Sequence, residues 1–356
     1  MRVVFDVTPL SHPRTGVGNY LRGALAGLAE AAGPEDEVVA FAPTSPAGRR
    51  LVEQSVDGVP ARHAFSTLPL AHAWRTAWSR SGWPPAERFL GGFDVLHFSD
   101  WMYPPQRSGL RATTVHDLVP LRFPEWTTGR TRRMHGAKYA HAARRCDLVF
   151  CNSEFTARDV EERLAVPRSR LRVAHPGVGP EFSPEGPPAD LGRPYVLTVA
   201  TLEPRKNLAT LLEAHALLRD DLALALVGGE GWGERPEVRR ERVIPLGYVP
   251  DDQLPGLYRG AAAFAFPSRF EGFGMPVLEA MACGVPCAVS SHESLDEACG
   301  EAAVRADPES PEAFAAAIRE TVERRDELVP KGLEHARRFT WRATGDALLD
   351  GYRSAL

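Results

Sequence analysis

Two glutamates stand on either side of a glycine-rich turn in the C-terminal half of the chain. Glu271 precedes the turn and Glu279 follows it, with seven residues between them. Pro276 is typical of the first position of a helix and Gly284 of its end, so the turn is predicted to lead into a helix N-terminus. Backbone N–H groups at such an end attract anions, phosphates in particular. The pattern therefore indicates a binding site for a ligand in which a sugar and a ribose are joined by a diphosphate. The alternative is that the two glutamates are ordinary solvated carboxylates beside a helix.

Two adjacent cations follow a second strand-like segment. Arg205 and Lys206 lie between the apolar run that ends near Val199 and a helical run that starts near Asn207. Arginine offers a planar fork of donors and lysine a compact charge, so the pair can neutralise a departing diphosphate. Such pairs are also common on solvated surfaces. The position of this one, after a strand and before a helix, favours a binding site.

Short apolar segments alternate with helical ones along the chain, which is typical of doubly wound α/β domains. The strands predicted for a first sheet are 3–7, 38–41, 95–98, 113–115, 148–151 and 171–174. Those predicted for a second sheet are 195–199, 222–227, 243–246, 262–266 and 287–289, with helices near 207–218, 251–259, 312–324 and 341–352. A Pro/Gly-rich linker at 175–188 separates the two sets.

The block 268–286, with its glycines and Pro276, resembles the signature of glycosyltransferase family 4, whose members are retaining nucleotide-sugar transferases. The resemblance implies the GT-B fold, in which two Rossmann-like domains with doubly wound parallel sheets face a central cleft. It implies an acceptor-binding domain at 1–185, joined by a C-terminal helix at 342–356, and a donor-binding domain at 186–341. The implied reaction transfers a hexose from a nucleotide-diphosphate sugar to a glycan, a lipid-linked acceptor or a small molecule.

The same resemblance assigns roles to individual residues. Glu271 is expected to bind a hydroxyl of the transferred sugar, and Arg205 and Lys206 to neutralise the leaving diphosphate. His116 is expected to contact the donor sugar and Glu279 the ribose hydroxyls. The remaining predicted donor-binding residues are expected to contribute backbone groups: Gly16, Val17, Gly18, Val249, Leu254, Gly274 and Met275. The first three of these are expected to form a flexible glycine loop.

The run from His116 to Pro120 resembles family members that transfer mannose, which makes GDP-mannose the favoured donor. UDP-glucose and UDP-N-acetylglucosamine come next. Asp117 is expected to orient the imidazole of His116, because a partner sets the tautomer. A UDP-sugar epimerase of the same fold and a non-catalytic sugar-nucleotide binding protein remain as alternatives. An NAD-binding fingerprint is disfavoured because Leu21 stands where it needs a third glycine.

No cofactor or metal is expected. The chain contains neither an Asp-x-Asp motif, which would hold a divalent ion against a diphosphate, nor a Walker-type phosphate loop. The five cysteines are odd in number and include no Cys-x-x-Cys pair, so they are predicted to be buried thiols. No apolar stretch approaches the roughly 20 residues that span a bilayer. A cytoplasmic protein is predicted.

Charge is distributed unevenly along the chain. Residues 1–185 contain 23 Lys and Arg against 19 Asp and Glu, while the remainder contains 19 against 27. The basic segment 129–145, predicted to be helical, could lie against anionic lipid or a lipid-phosphate acceptor at the inner face of a membrane. An ordinary solvated helix is the alternative. No nucleic-acid partner is indicated, and the sequence leaves the oligomeric state open.

Overall fold

The computed structural model describes residues 1–12, 15–99, 102–218, 222–229 and 242–356. These residues form two compact units. Unit 1 comprises Met1–Leu121, Gly129–Gly177 and Thr340–Leu356, and unit 2 comprises Arg122–Thr128 and Val178–Phe339.

The two units differ from the predicted ranges 1–185 and 186–341 in three places, the smallest being that Thr340 and Trp341 already belong to unit 1. Arg122–Thr128 groups with unit 2, although it precedes the linker in the sequence. The second half of the linker also belongs to unit 2, because Val178 and Phe182 pack against the apolar core of that unit. A Pro/Gly-rich composition indicates where regular structure stops, but it does not indicate which core the irregular chain packs against.

Unit 1 contains a seven-stranded parallel sheet. Its strands are β1 (Arg2–Asp6), β2 (Glu37–Thr44), β3 (Arg62–Thr67), β4 (Val95–Phe98), β5 (Leu110–Val115), β6 (Leu148–Cys151) and β7 (Leu171–Val173). They lie in the order β3-β2-β1-β4-β5-β6-β7. The first strand is therefore central, with Val3 opposite Val38 on one side and Val95 on the other.

Unit 2 contains a six-stranded parallel sheet. Its strands are β8 (Tyr195–Val199), β9 (Ala223–Val227), β10 (Val243–Gly247), β11 (Ala263–Phe266), β12 (Cys287–Ser290) and β13 (Ala303–Ala306). The order is β10-β9-β8-β11-β12-β13, so β8 is central in the same way. These two sheets confirm the predicted doubly wound α/β class. The sequence did not predict the edge strands β3 and β13, because β3 has few apolar residues and β13 has only four residues, which gives a weak strand signal.

Fourteen helices connect the strands in the described part of the chain. They are α1 (Gly16–Ala31), α2 (Pro46–Ser55), α3 (Ala71–Ser81), α4 (Glu87–Leu90), α5 (Val119–Arg122), α6 (Gly129–Arg145), α7 (Glu154–Leu164), α8 (Leu208–Ala216), α9 (Leu254–Gly260), α10 (Met275–Ala282), α11 (Asp296–Cys299), α12 (Pro311–Glu323), α13 (Arg325–Ala336) and α14 (Trp341–Arg353). The basic segment 129–145 is helical, as predicted. Among the described residues, no helix has the length and apolar character needed to cross a bilayer.

Both faces of each sheet are buried. In unit 1, Val3 and Phe5 pack into one apolar cluster and Val4 into another. In unit 2, Leu197 and Val196 divide in the same way. Strands covered on both faces read as continuous apolar runs, which is why they could be recognised from the sequence. The five cysteines are buried free thiols, as predicted.

Glycines allow α14 to pack closely on α1 within unit 1. A Cβ atom at Gly27 would lie 1.8 Å from the carbonyl oxygen of Trp341, and one at Gly345 would lie 2.0 Å from the carbonyl oxygen of Gly27. The ring of Trp341 lies over Gly23, where an added Cβ would meet it at 2.1 Å. The last helix therefore fits against the first only because these positions have no side chains.

We expect Gly27→Ala to lower the free energy of unfolding by about 2–3 kcal/mol, because the new methyl group forces two backbones apart. Gly136→Ala is the matched control, since it lies in helix α6 with no atom within 4 Å of the added Cβ. That control should stabilise the protein by roughly 0.5–1 kcal/mol through helix propensity. Chemical unfolding midpoints measure both. Equal midpoints for the two variants would contradict the close packing of α1 and α14.

Candidate active site

Two loops meet at the carboxyl ends of neighbouring strands in unit 2. One follows β8 and ends in a short 3₁₀ turn, Pro204–Lys206. The other follows β11 and leads into α10. The N–H of Arg269 donates to the carbonyl oxygen of Arg205 at 2.8 Å, which joins the loops directly. Strand order reverses between β8 and β11, and ligands of open α/β sheets bind at such reversals.

The Glu271 carboxylate lies between the two predicted cations. Its Oε2 atom is 2.6 Å from Nη1 of Arg205, and its Oε1 atom is 2.6 Å from Nζ of Lys206. The Ser268 hydroxyl also donates to Oε1. Arg205 has a second carboxylate partner, since its Nε lies 2.9 Å from Oε2 of Glu203. The four charges balance one another without a ligand.

Burial and ion pairing act on Glu271 in opposite directions. Only 7% of the residue is exposed, and burial alone would raise the pKa of its carboxyl. The positive charges of Arg205 and Lys206 outweigh that effect and lower the pKa to about 2. Glu271 is therefore ionised at neutral pH. It is a permanent acceptor of hydrogen bonds.

Glu279 has the opposite electrostatic character. It lies on α10, 8% exposed, and its Oε2 accepts a hydrogen bond of 2.9 Å from the Tyr258 hydroxyl. Burial raises the pKa of Glu279 to about 7, and the Glu181 carboxylate acts in the same direction. Glu279 therefore titrates near neutral pH, whereas Glu271 stays ionised there.

The turn before α10 has the predicted form. Met275 is the first residue of the helix, followed by Pro276, and Gly274 has a left-handed φ of 108°. A Cβ at Gly274 would lie 2.6 Å from Leu295, so a side chain would be strained there twice over. The N–H of Glu271 donates to Oγ of Ser294 at 3.0 Å, which fixes the start of the turn.

Val249 and Leu254 lie around the start of α9, after β10. Both side chains are partly buried against the main apolar core of unit 2. Their side chains therefore anchor this segment, and the backbone role assigned to them from the sequence stays a prediction.

Gly16, Val17 and Gly18 form the first turn of α1 and not the flexible loop that the sequence suggested. The cause is Thr15, whose side chain caps the helix by accepting from the N–H of Gly18 at 3.3 Å. A Cβ at Gly16 would meet no atom within 4 Å, so packing does not require glycine there. The proposed approach of this backbone to a phosphate stays a prediction.

His116 directly follows β5 in unit 1. Its ring packs edge-on against Tyr20, with centroids 4.8 Å apart. Burial, followed by the nearby His135, lowers the pKa of His116 to about 4, so the imidazole is neutral. Asp117 does not orient the ring as expected: its Oδ1 accepts from the N–H of Val119 at 3.0 Å, because it caps the turn that starts α5.

Sequence reasoning missed several residues that shape the two loops. Tyr258, Ser294 and Glu203 each hold a predicted residue through a side chain. Phe123 packs against Phe270, beside Glu271, with ring centroids 5.2 Å apart. Tyr258, Ser294 and Phe123 carry no local signal, because each acts through a contact that only the fold creates, whereas Glu203 lies two residues from its partner Arg205. Among the residues that the structure describes, no group of three His, Cys, Asp or Glu side chains could hold a metal ion.

Two family descriptions match consecutive parts of the chain. "Glycosyltransferase Family 4" matches residues 14–182, and "Glycosyl transferases group 1" matches residues 181–342. The O-antigen chain mannosyltransferase B of Escherichia coli is 28% identical, over 99% of this chain and 100% of the relative. The D-inositol 3-phosphate glycosyltransferase of Acidothermus cellulolyticus is 30% identical, over 76% of this chain and 69% of the relative.

Solved structures resemble the fold over its whole length. The sucrose-phosphate synthase of Thermosynechococcus elongatus aligns with a TM-score of 0.71 at 19% identity, over 99% of this chain and 98% of that one. Anabaena HepE, solved in complex with UDP and glucose, aligns with a TM-score of 0.72 at 17% identity over 100% of both chains. With the two family matches and the relatives above, these findings show that the chain belongs to glycosyltransferase family 4 and has the GT-B fold.

Proposed function

We propose that this chain transfers a hexose from a nucleotide-diphosphate sugar to an acceptor with retention of anomeric configuration. GDP-mannose is the favoured donor, followed by UDP-glucose and UDP-N-acetylglucosamine. The cluster of Arg205, Lys206 and Glu271 at the strand-order reversal of unit 2 carries the proposal. The E. coli relative named as a mannosyltransferase supports mannose, and the HepE complex with UDP and glucose supports a nucleotide-sugar site.

The ion pairs explain how one cluster would serve both parts of a donor. A diphosphate entering the site takes over Arg205 and Lys206, which releases the Glu271 carboxylate toward a hydroxyl of the sugar. As the bond from sugar to phosphate breaks, negative charge grows on the leaving diphosphate, and the same two cations stabilise it. Glu271 enters the reaction ionised, because Arg205 and Lys206 hold its pKa at about 2 before the donor binds. Its hydrogen bond strengthens as the sugar ring becomes positive.

His116 would contribute without adding charge. Its pKa of about 4 leaves the imidazole neutral, so it can hydrogen-bond a sugar hydroxyl without repelling a positively charged ring. No protein nucleophile is assigned. We propose that the leaving phosphate accepts the proton of the acceptor hydroxyl, and that Arg205 and Lys206 neutralise the diphosphate without a metal ion.

We expect the purified protein to hydrolyse one nucleotide sugar of a panel slowly, GDP-mannose first, with unchanged rates in EDTA. Lys206→Ala should slow the reaction by about 2–4 kcal/mol of activation free energy, because diphosphate charge is left uncompensated. Chromatography of released sugar and nucleotide measures the rates. Loss of activity in EDTA that manganese or magnesium restores would contradict metal independence, and an epimerised nucleotide sugar would replace the proposal with an epimerase.

Two carboxylates pair with Arg205, and replacing each in turn distinguishes the loss of charge balance from the loss of a contact with the sugar. Glu271→Gln should reduce turnover by roughly 10²-fold, because it weakens a contact that gains strength in the transition state. Affinity for nucleoside diphosphate should stay the same or rise, since a competitor for Arg205 and Lys206 is removed. Glu203→Gln is the matched control, because Glu203 also pairs with Arg205, whereas the ion pair of Lys206 is with Glu271.

Turnover and calorimetric affinity for GDP and UDP are measured for both variants. Near wild-type turnover in Glu203→Gln would show that the loss in Glu271→Gln comes from the sugar contact. Similar losses in both variants would mean that Glu271 only balances charge.

The raised pKa of Glu279 predicts a pH dependence of donor binding. Ribose hydroxyls donate hydrogen bonds, so the ionised form of Glu279 should bind them better. Because the pKa of the free carboxyl is about 7, nucleoside diphosphate affinity should rise between pH 6 and pH 8. Calorimetry measures this affinity across the pH range for the wild type and for Glu279→Gln. Subtracting the profile of the variant removes the contribution of the ligand's own titration. An identical pH profile in the variant would contradict the assignment.

A further inference from the structure

A basic cavity of about 700 Å³ lies within unit 1. Four arginines and three histidines are among its lining residues, and no carboxylate lines it in the part of the chain that the structure describes. The arginines are Arg75, Arg80, Arg130 and Arg133. The cavity is separate from the ion-pair cluster, which lies in unit 2.

One face of each of two helices builds the cavity. Arg75 and Arg80 belong to α3, where His72 and Ser79 complete the same face. Arg130 and Arg133 belong to α6. Spacings of three and four residues place side chains on one side of a helix. The sides of helices that face each other are ordinarily apolar. The sides of α3 and α6 that line this cavity are basic, which indicates a function other than packing.

The four arginines of the cavity differ in how deeply they are buried. Arg75 is 3% exposed, and its Nη1 donates to the carbonyl oxygen of Pro43 at 2.9 Å. Arg80, Arg130 and Arg133 are exposed toward solvent. The charge of Asp6 also interacts with Arg75. Asp6 is not among the residues that line the cavity, and its oxygens accept hydrogen bonds from the N–H groups of Thr8 and Ser99 at 2.9 and 3.0 Å.

Two of the three histidines, His12 and His141, add hydrogen-bonding capacity without further charge. Burial lowers the pKa of His12 and of His141, the latter to about 4, and neighbouring cations act in the same direction. The ring of His141 stacks on Tyr103 with centroids 4.7 Å apart, which holds it at the cavity wall. A neutral imidazole beside several guanidinium groups is a suitable partner for a phosphate oxygen or a neighbouring hydroxyl.

Four guanidinium groups around one cavity give it a positive potential that attracts anions. A phosphate monoester carries −1.5 to −2 charges near neutral pH and three acceptor oxygens, which matches several arginine forks better than a single carboxylate does. Met102 and Met134 lie beside the basic groups, so an uncharged organic part can pack next to the phosphate.

We propose that the basic cavity binds a phosphate group carried by the sugar acceptor. This inference rests on the proposed glycosyl transfer and adds the chemical class of the acceptor. It also gives the basic helix α6 a role other than contact with anionic lipid. The phosphate can belong to a lipid-borne acceptor or to a soluble sugar phosphate, and both present the same group to the arginines.

The test compares phosphate-bearing probes with an uncharged match. The calorimetric ligands are octyl phosphate, glucose 1-phosphate and octyl glucoside, below micelle-forming concentrations. The variant Arg80→Gln/Arg130→Gln/Arg133→Gln removes three exposed charges from the cavity. The control Arg50→Gln/Arg144→Gln/Arg145→Gln removes three exposed charges of unit 1 outside it. GDP and UDP binding and nucleotide-sugar hydrolysis are measured in every protein.

We expect both phosphate probes to bind the wild type and the control at least tenfold more tightly than the cavity variant, and more weakly as salt is raised. Tighter binding of octyl phosphate indicates a lipid-borne acceptor, and tighter binding of glucose 1-phosphate a soluble one. Equal affinity for octyl phosphate and octyl glucoside would overturn the proposal. So would equal affinity of the two variants, or no phosphate binding at all, while nucleotide binding and hydrolysis report separately on the proposed function.

Discussion

The buried carboxylate of Glu271 constrains the whole of unit 2. A charge taken out of water must be compensated, and removing its partners would cost several kcal/mol. Its partners Arg205 and Lys206 follow β8, whereas Glu271 follows β11. The carboxylate can be neutralised only if these strands are neighbours. They are neighbours because β8 is central, with β9 on one side and β11 on the other.

The parts of this site that were predicted follow buried strands directly. β8 and β11 are continuous apolar runs, so the polar residues after them could be recognised as lying at the carboxyl ends of strands. Arg205, Lys206 and Glu271 were found in that way. The pairing of β8 with β11 could not be predicted from local pattern. The sequence therefore assigned the cations to a diphosphate and Glu271 to a sugar without revealing that they contact one another.

Two of the residues that sequence reasoning missed act across long sequence separations. Tyr258 reaches Glu279 from a neighbouring helix, and Tyr20 packs against His116 from the first helix. Locally, each is an ordinary apolar position of an amphipathic helix. Asp117 was assigned to the His116 ring because it is adjacent in sequence, yet an aspartate before a helical turn finds a closer partner in the backbone N–H two residues on. Adjacency in the chain competed with turn chemistry, and turn chemistry prevailed.

Arg205 and Lys206 in unit 2 and the arginines of the basic cavity in unit 1 differ in how their charge is neutralised. This difference affects how a bound anion is released. In unit 2, Glu271 and Glu203 already neutralise Arg205 and Lys206, so a diphosphate must replace existing ion pairs. Its affinity is then a difference between two sets of similar interactions. Under the proposed function, Glu271 competes with the nucleoside diphosphate product for the same cations and favours its release. In the basic cavity of unit 1, whose described lining residues include no carboxylate, a phosphate bound as proposed would add ion pairs and would not exchange existing ones.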